Sequence, residues 1–197
     1  MSTITRPTLF EPNVCQLTPY ASQRVSASPF GGSEQAIDLL NDRWMMSCSL
    51  PEKLHADAAW IEAFIGAMRG QVNNVALYHF VRPVPRGTVR GTLALNASAS
   101  QGASSIEITG CSPSTGTLLA GDMLGVGGLL LMVREDCTAV AGVITAPITN
   151  RLRVAQNSGA AVTWNKPTAL FRLLATSGVH HVPVITDAVT FEFGEAI

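Results

Sequence analysis

The stretch SLPEKLHADAAWIEAFIGAMRGQ, residues 49–71, is the one long segment with a helical period in a chain whose other apolar segments alternate as strands do. Ser49 stands three residues before Glu52, the spacing of a capping box, and Pro51 falls in the first turn, where its missing N–H costs nothing. These signals predict a helix capped by Ser49. Leu54, Ala58, Ile61, Ile65 and Met68 recur at i, i+4, i+7, i+11 and i+14, and Trp60 and Phe64 widen the stripe. Arg69 complements the negative end of the helix dipole, and Gly70 supplies a stop. Such a helix is built to lay one face on a sheet.

Working outward, Trp44, Met46, Cys48 and Leu50 alternate with Arg43, Met45, Ser47 and Ser49, a strand with one dominant apolar face. On the other side, NNVALYHFVRP (73–83) reads as a strand apolar on both faces. Strand, helix and strand form the core of a first module. Residues 1–41, rich in Ser, Thr, Pro, Gly and Asn, read as an arm with short strands. The run RPVPRGTVRG (82–91) lacks a hydrophobic period and marks a boundary.

Beyond it, TLALNAS (92–98), SSIEITG (104–110), DMLGV (122–126), LLLMVRE (129–135), GVITAPI (142–148) and AAVTWNK (160–166) are short and turn-bounded, with ALFRLLA (169–175) closing the set. Gly127-Gly128 suits a tight two-residue hairpin. The expected fold class is therefore mainly β with one long helix (α+β). Residues 1–90 form a sheet module braced by the helix, and 91–187 a small antiparallel β-barrel or sandwich. The last strand, 188–197, sets Val189, Phe191 and Phe193 on one face and Thr190, Glu192 and Gly194 on the other, and is expected to return to the first module.

Charged residues are only 14% of the chain, hydrophobic ones 47%, and the mean hydropathy is +0.26, so part of the surface is expected to be covered by other copies or proteins. A membrane span is not expected: the most apolar run, MLGVGGLLLMV (123–133), is short and broken by glycines. The first residues lack a basic segment followed by an apolar one, so synthesis in a cytoplasm is expected. Cys15, Cys48, Cys111 and Cys137 are far apart in sequence, without a metal-binding spacing, and read as buried reduced thiols. A net charge of −1 gives no basic footprint for nucleic acid.

Candidates for chemistry are few. His180 and His181, with Asp187 downstream, invite a general-base or metal reading, but neighbours in a strand point to opposite faces. His55 and His79 read as structural. Asp122, Glu135 and Asp136 lack the ligand density of a Ca²⁺ site. No nucleophile elbow, zinc-protease or phosphate-loop motif is present. The chain thus reads as a non-enzymatic protein with no cofactor, catalytic residue or metal ligand. Arg82, Arg86 and Arg90 punctuate the linker and could line a polyanion channel, pair across a subunit boundary, or simply be solvated. With Trp44, Phe191 and Phe193 they make up the candidate oligomer or partner interface. Trp164 is the candidate ligand contact, of the kind that binds sugars.

The strings DRWMMSCSLPEKLHADAAWIEAFIGAMRGQ (42–71), LLAGDMLGVGG (118–128), NRLRVAQNSGAAVTWNKPTALFRL (150–173) and VTFEFGEA (189–196) together give a pattern that resembles the distal tail proteins at the tip of long-tailed bacteriophages. The resemblance implies a virion protein made in the host bacterial cytoplasm, forming a cyclic homo-oligomer, a hexamer. Its ring would join the tail tube protein to tip and receptor-binding hub proteins, with DNA only in passage. Tail tube and tail completion proteins share this sheet-and-helix logic and stay open as alternatives, as does a carbohydrate- or receptor-binding module of the tail tip. A cell-wall hydrolase would rest only on His180, His181 and Asp187.

Overall fold

A computed structural model describes residues 2–27, 31–39 and 41–196. Strands β1 (Thr3–Ile4), β2 (Val14–Tyr20), β3 (Gln23–Ala27), β4 (Glu34–Asp38), β5 (Arg43–Leu50) and β6 (Lys53–Leu54) precede helix α1 (His55–Met68). After it come β7 (Asn74–Leu77), β8 (Leu93–Leu95), β9 (Ser105–Thr109), β10 (Thr117–Leu118), β11 (Met123–Val126) and β12 (Leu129–Met132). The chain closes with β13 (Cys137–Thr138), β14 (Val143–Pro147), β15 (Ala161–Thr163), β16 (Ala169–Thr176), β17 (Ile185–Thr186) and β18 (Val189–Glu195). The fold is α+β, mostly strand with a single helix among the described residues.

The first sheet has six strands in the order β1-β7-β16-β18-β5-β2. Trp44, Met46, Cys48 and Leu50 of β5 and Val189, Phe191 and Phe193 of β18 all point to its inner face and are buried. Helix α1 lies on that face through Ala58, Ile61, Phe64 and Met68. Between helix and sheet sits Phe10, wholly buried, its ring 5.6 Å from Phe64, 5.7 Å from Phe80, 5.6 Å from Phe191 and 6.2 Å from Phe193. Tilted and edge-on aromatic pairs at these distances add stabilisation beyond area burial. A residue from the stretch expected to be an arm thus forms the centre of the core.

The helix starts later than its capping-box spacing predicts. Ser49 lies inside β5, opposite Val14 on one side and Thr190 on the other, so its backbone belongs to the sheet. Pairing on both flanks outweighs a local cap worth about 1 kcal/mol. The helix N-terminus is secured by a tertiary contact instead: β6 pairs with β17, and the His55 N–H donates to the Val184 carbonyl at 3.3 Å. Leu54, expected on the apolar stripe, is the residue before the helix and is exposed. The stop at Gly70 is as expected, but Arg69, read as a last-turn cation, is itself the left-handed cap, and the Asn73 amide donates to the Ala67 carbonyl at 2.9 Å.

The second sheet, β12-β11-β15-β8-β9-β14, curls until its edges meet, the Arg134 N–H donating to Pro147 O at 2.8 Å and the Thr149 N–H to Met132 O at 2.8 Å. Leu93, Leu95, Ile106, Ile108, Ile144 and Ile148 fill its interior. Gly127 and Gly128, at φ 55° and 81°, make the two-residue turn between β11 and β12. That hairpin is apolar on both faces because it serves two cores: Leu124 and Leu131 pack inside the curled sheet, while Met123 and Leu130 join the core around Phe10.

One strand falls on the other side of the expected boundary. β16, read as closing the second module, lies in the first sheet between β7 and β18. Its alternation is the same in either sheet, and only long-range pairing distinguishes them. Residues 189–194 pair with β5 in the first sheet; their alternation marks them as a strand, and long-range pairing chooses the sheet. Replacing Phe10 with Ala is expected to remove about 3–5 kcal/mol of stability, read as a lowered urea midpoint with the slope unchanged.

Candidate functional site

Trp44, Phe191 and Phe193 are not available as interface residues, since each is almost wholly buried in the core of its own chain. They sit on the inward side of β5 and β18, where α1 and Phe10 cover them. The Trp44 indole N–H donates to the Leu130 carbonyl at 2.7 Å, tying the first sheet to the β11–β12 hairpin. Alternation predicts which residues share a face; it does not say whether that face is covered by the chain itself or by a neighbour.

The linker arginines are folded onto the protein. Arg82 donates to the Gly121 carbonyl at 3.1 Å and lies against the His79 imidazole. Arg86 donates to Ala120 O at 2.7 Å, and Arg90 to Gly87 O at 2.8 Å and to Val89 O at 2.6 Å. Fork-shaped guanidinium groups thereby satisfy carbonyls of the linker itself and of the turn before β11. The linker is further held by Asp122, which is buried and accepts from the backbone N–H groups of Arg86 (2.8 Å), Gly87 (3.1 Å) and Leu119 (2.8 Å). All three arginines thus have intramolecular work, although the Arg86 side chain is still 60% exposed. Trp164 is held the same way: its indole N–H donates to Gly91 O at 2.8 Å, and the Arg90 guanidinium lies 5.0 Å over its ring. That ring face is already occupied by a cation–π contact.

A second seam joins the two sheets through a buried ion pair. The Glu195 carboxylate receives Arg153 and the Trp44 backbone N–H, the latter at 3.0 Å. Burial, outweighing the Arg153 charge, raises the Glu195 pKa above its ordinary value.

The histidines form a chain that sequence separation hides. His181 is hydrogen-bonded at 3.0 Å to Glu62 of α1 and at 2.9 Å to the Thr186 hydroxyl, and that hydroxyl is 3.3 Å from His55. The two imidazoles lie 5.1 Å apart, and the other nitrogen of His55 meets the Val182 carbonyl at 2.7 Å. An acid, an imidazole and a hydroxyl in series have the order of a nucleophilic triad, yet the Thr186 residue is 0% exposed and its oxygen is shared between two imidazoles. The same contacts fasten β17 and β6 to the start of α1. His180 is exposed and takes no side-chain part in this chain, and Asp187 contributes its backbone N–H to His180 O at 3.0 Å. Among the described residues no group of three or more His, Cys, Asp or Glu is placed to hold a metal ion, and no helix is long and apolar enough to cross a membrane.

The contact of two cysteines escaped the sequence reading, whereas the arm with short strands expected in 1–41 is present in part as a ribbon. Cys15 and Cys48 stand directly opposite each other on β2 and β5. The ribbon β3–β4 projects with every described strand residue exposed, including Val25 and Ile37 on opposite faces, and is tied at its base by the ion pair of Asp38 with Arg151 at 3.4 Å. Alternating apolar and polar residues in 14–20 were the available signal for β2. No family model matches the chain, and no curated protein matches it.

His79 supplies a pH test of this packing. Burial first, and then the Arg82 charge, lower its pKa below the ordinary 6.5, so the folded chain keeps the imidazole neutral where the unfolded chain takes up a proton. Stability is expected to decline as the pH falls through 6.5. In the His79→Gln variant the acid side of a urea-midpoint profile should be flatter than in the wild type.

Proposed function

We propose that this chain is a structural ring subunit, a distal tail protein of a long-tailed phage, whose copies close into a ring between the tail tube and the tip hub. The observation that supports this reading is the β3–β4 arm. An isolated two-stranded ribbon is at best marginally stable in water, and this one leaves Val25, Ile37 and the adjoining Leu39 each about half uncovered. A second copy is the occupant that fits, because among the described residues β2 and β1 end the first sheet with unpaired edges, and an edge strand is a template for another chain. An arm on one side of the subunit that docks on a different surface of the next copy makes a heterologous contact, and such contacts close into rings when the rotation allows.

In this proposal the interface residues are those of the arm and the β2 edge, with Arg86 as the linker arginine open enough to reach a neighbour. The curled second sheet projects from the ring toward tip proteins. Six copies per ring, passage of DNA through the lumen, assembly in the host cytoplasm and residence at the virion tail tip all follow from the proposed family. A low surface charge suits a subunit whose faces are largely covered by neighbours.

The deciding experiment is light scattering on the purified full-length chain over a range of concentration and salt. A discrete multiple of the 20.8 kDa chain mass that persists in high salt is expected, since an apolar arm contact is not screened. The Val25→Asp/Ile37→Asp variant should shift the mass toward monomer while melting within about 2 °C of the wild type, because both side chains are exposed. A monomer under all conditions, and no ring at the tail tip of imaged particles, would sink the proposal.

A further inference from the structure

Packing brings the nucleophilic side chains of Cys15 and Cys48 into contact without giving them a further role. Their sulfurs lie 3.7 Å apart across β2 and β5, at positions 33 residues apart in the chain. The register explains the closeness. The Asn13 N–H donates to the Ser49 carbonyl at 3.0 Å, so Ser49 turns its backbone groups toward β2. Backbone direction alternates along a strand, so Cys48 turns its own away from β2, and Cys15 and Cys48 form a non-hydrogen-bonded pair. At such pairs the Cα atoms approach to about 4.5 Å, inside the range a disulfide spans. Both side chains lie on the inner face of the sheet, Cys48 buried and Cys15 half-buried at the margin of the core.

We propose that Cys15 and Cys48 are a site of oxidative modification, a cross-strand dithiol that closes to a disulfide on reaction with hydrogen peroxide. The half-exposed Cys15 is the attacking sulfur. The Cys48 thiol hydrogen bond above all, then the Phe80 amide and the Arg82 charge, lower its pKa to about 7 against the opposing effect of burial. The same hydrogen bond, with burial, raises the pKa of Cys48, which therefore waits as the resolving thiol. The Cys15 thiolate attacks one peroxide oxygen, breaking the O–O bond, and leaves as sulfenic acid while hydroxide departs. The Cys48 sulfur then attacks the Cys15 sulfur, the S–S bond forms, and the sulfenic oxygen leaves as water with the Cys48 proton. In sum two thiols lose two hydrogen atoms and one peroxide becomes two waters. Cys111 and Cys137 serve as internal controls, since burial raises both of their pKa values, Cys137 to about 11.

The bridge would close the segment that carries the β3–β4 arm at its base, fixing β2 to β5. The site stands whether or not the chain assembles into rings.

The test uses the reduced full-length protein treated with excess hydrogen peroxide, unfolded in an alkylating reagent, and mapped by non-reducing digestion and mass spectrometry. Loss of two of the four alkylatable thiols, a linked peptide pair containing Cys15 and Cys48, and recovery of both thiols with dithiothreitol are expected. The rate should rise with pH and level off above about pH 8, below where an ordinary thiol does. In Cys15→Ser, Cys48 should remain alkylatable and thiol loss should slow by about tenfold or more. Four intact thiols after peroxide, a bridge through Cys111 or Cys137, or over-oxidised Cys15 beside a free Cys48 would each overturn the proposal.

Discussion

The first module depends on the burial of Phe10 between α1 and the six-stranded sheet. Its ring is the common neighbour of Trp60, Phe64, Phe80, Phe191 and Phe193, residues contributed by the helix, by the segment after β7 and by the last strand. None of these elements buries its apolar face alone. The helix has one stripe, the sheet one covered face, and Phe10 packs between them. The chain before β2 thus runs through the core, and β2 follows at the sheet edge beside β5.

From that core the constraint passes to the second module by two routes. One is apolar: the β11–β12 hairpin places Met123 and Leu130 in the first core and Leu124 and Leu131 in the second, so neither core is complete without it. The other is polar, through Asp122 with its three backbone donors and through Glu195 with Arg153 and the Trp44 N–H. Buried carboxylates are tolerated only when hydrogen-bonded or paired, and both of these are. Each therefore favours a single arrangement of linker and sheets over looser alternatives that would strand a charge.

What this leaves outside is as informative as what it encloses. The arginines of the linker, the indole of Trp164 and the histidines around Thr186 are largely turned to internal purposes. Among the described residues, the β3–β4 arm is anchored at its base by the Asp38–Arg151 ion pair while its apolar side chains stay exposed, and β1 and β2 form the edges of the first sheet. The assembly role proposed above rests on the exposed apolar side chains of the arm and on the edges of the first sheet. The thiol pair is a separate device, created by the register that places β2 beside β5.

The sequence by itself determined the existence of α1, its buried stripe and its stop at Gly70, the positions of most short strands, and the Gly127-Gly128 hairpin. These follow from signals that act within a few residues: periodicity, caps, and the φ angles open to glycine. Only the tertiary structure decided where the helix begins, which sheet receives β16, that Trp44, Phe191 and Phe193 are internal, which carbonyls the arginines satisfy, and that Cys15 meets Cys48. Ser49 shows the physical reason. A serine three residues before a glutamate can cap a helix or extend a strand, and the choice went to the strand because two neighbours, distant in sequence, pair with it on both sides. Local propensities are worth about a kilocalorie each, and strand pairing with burial outweighs them.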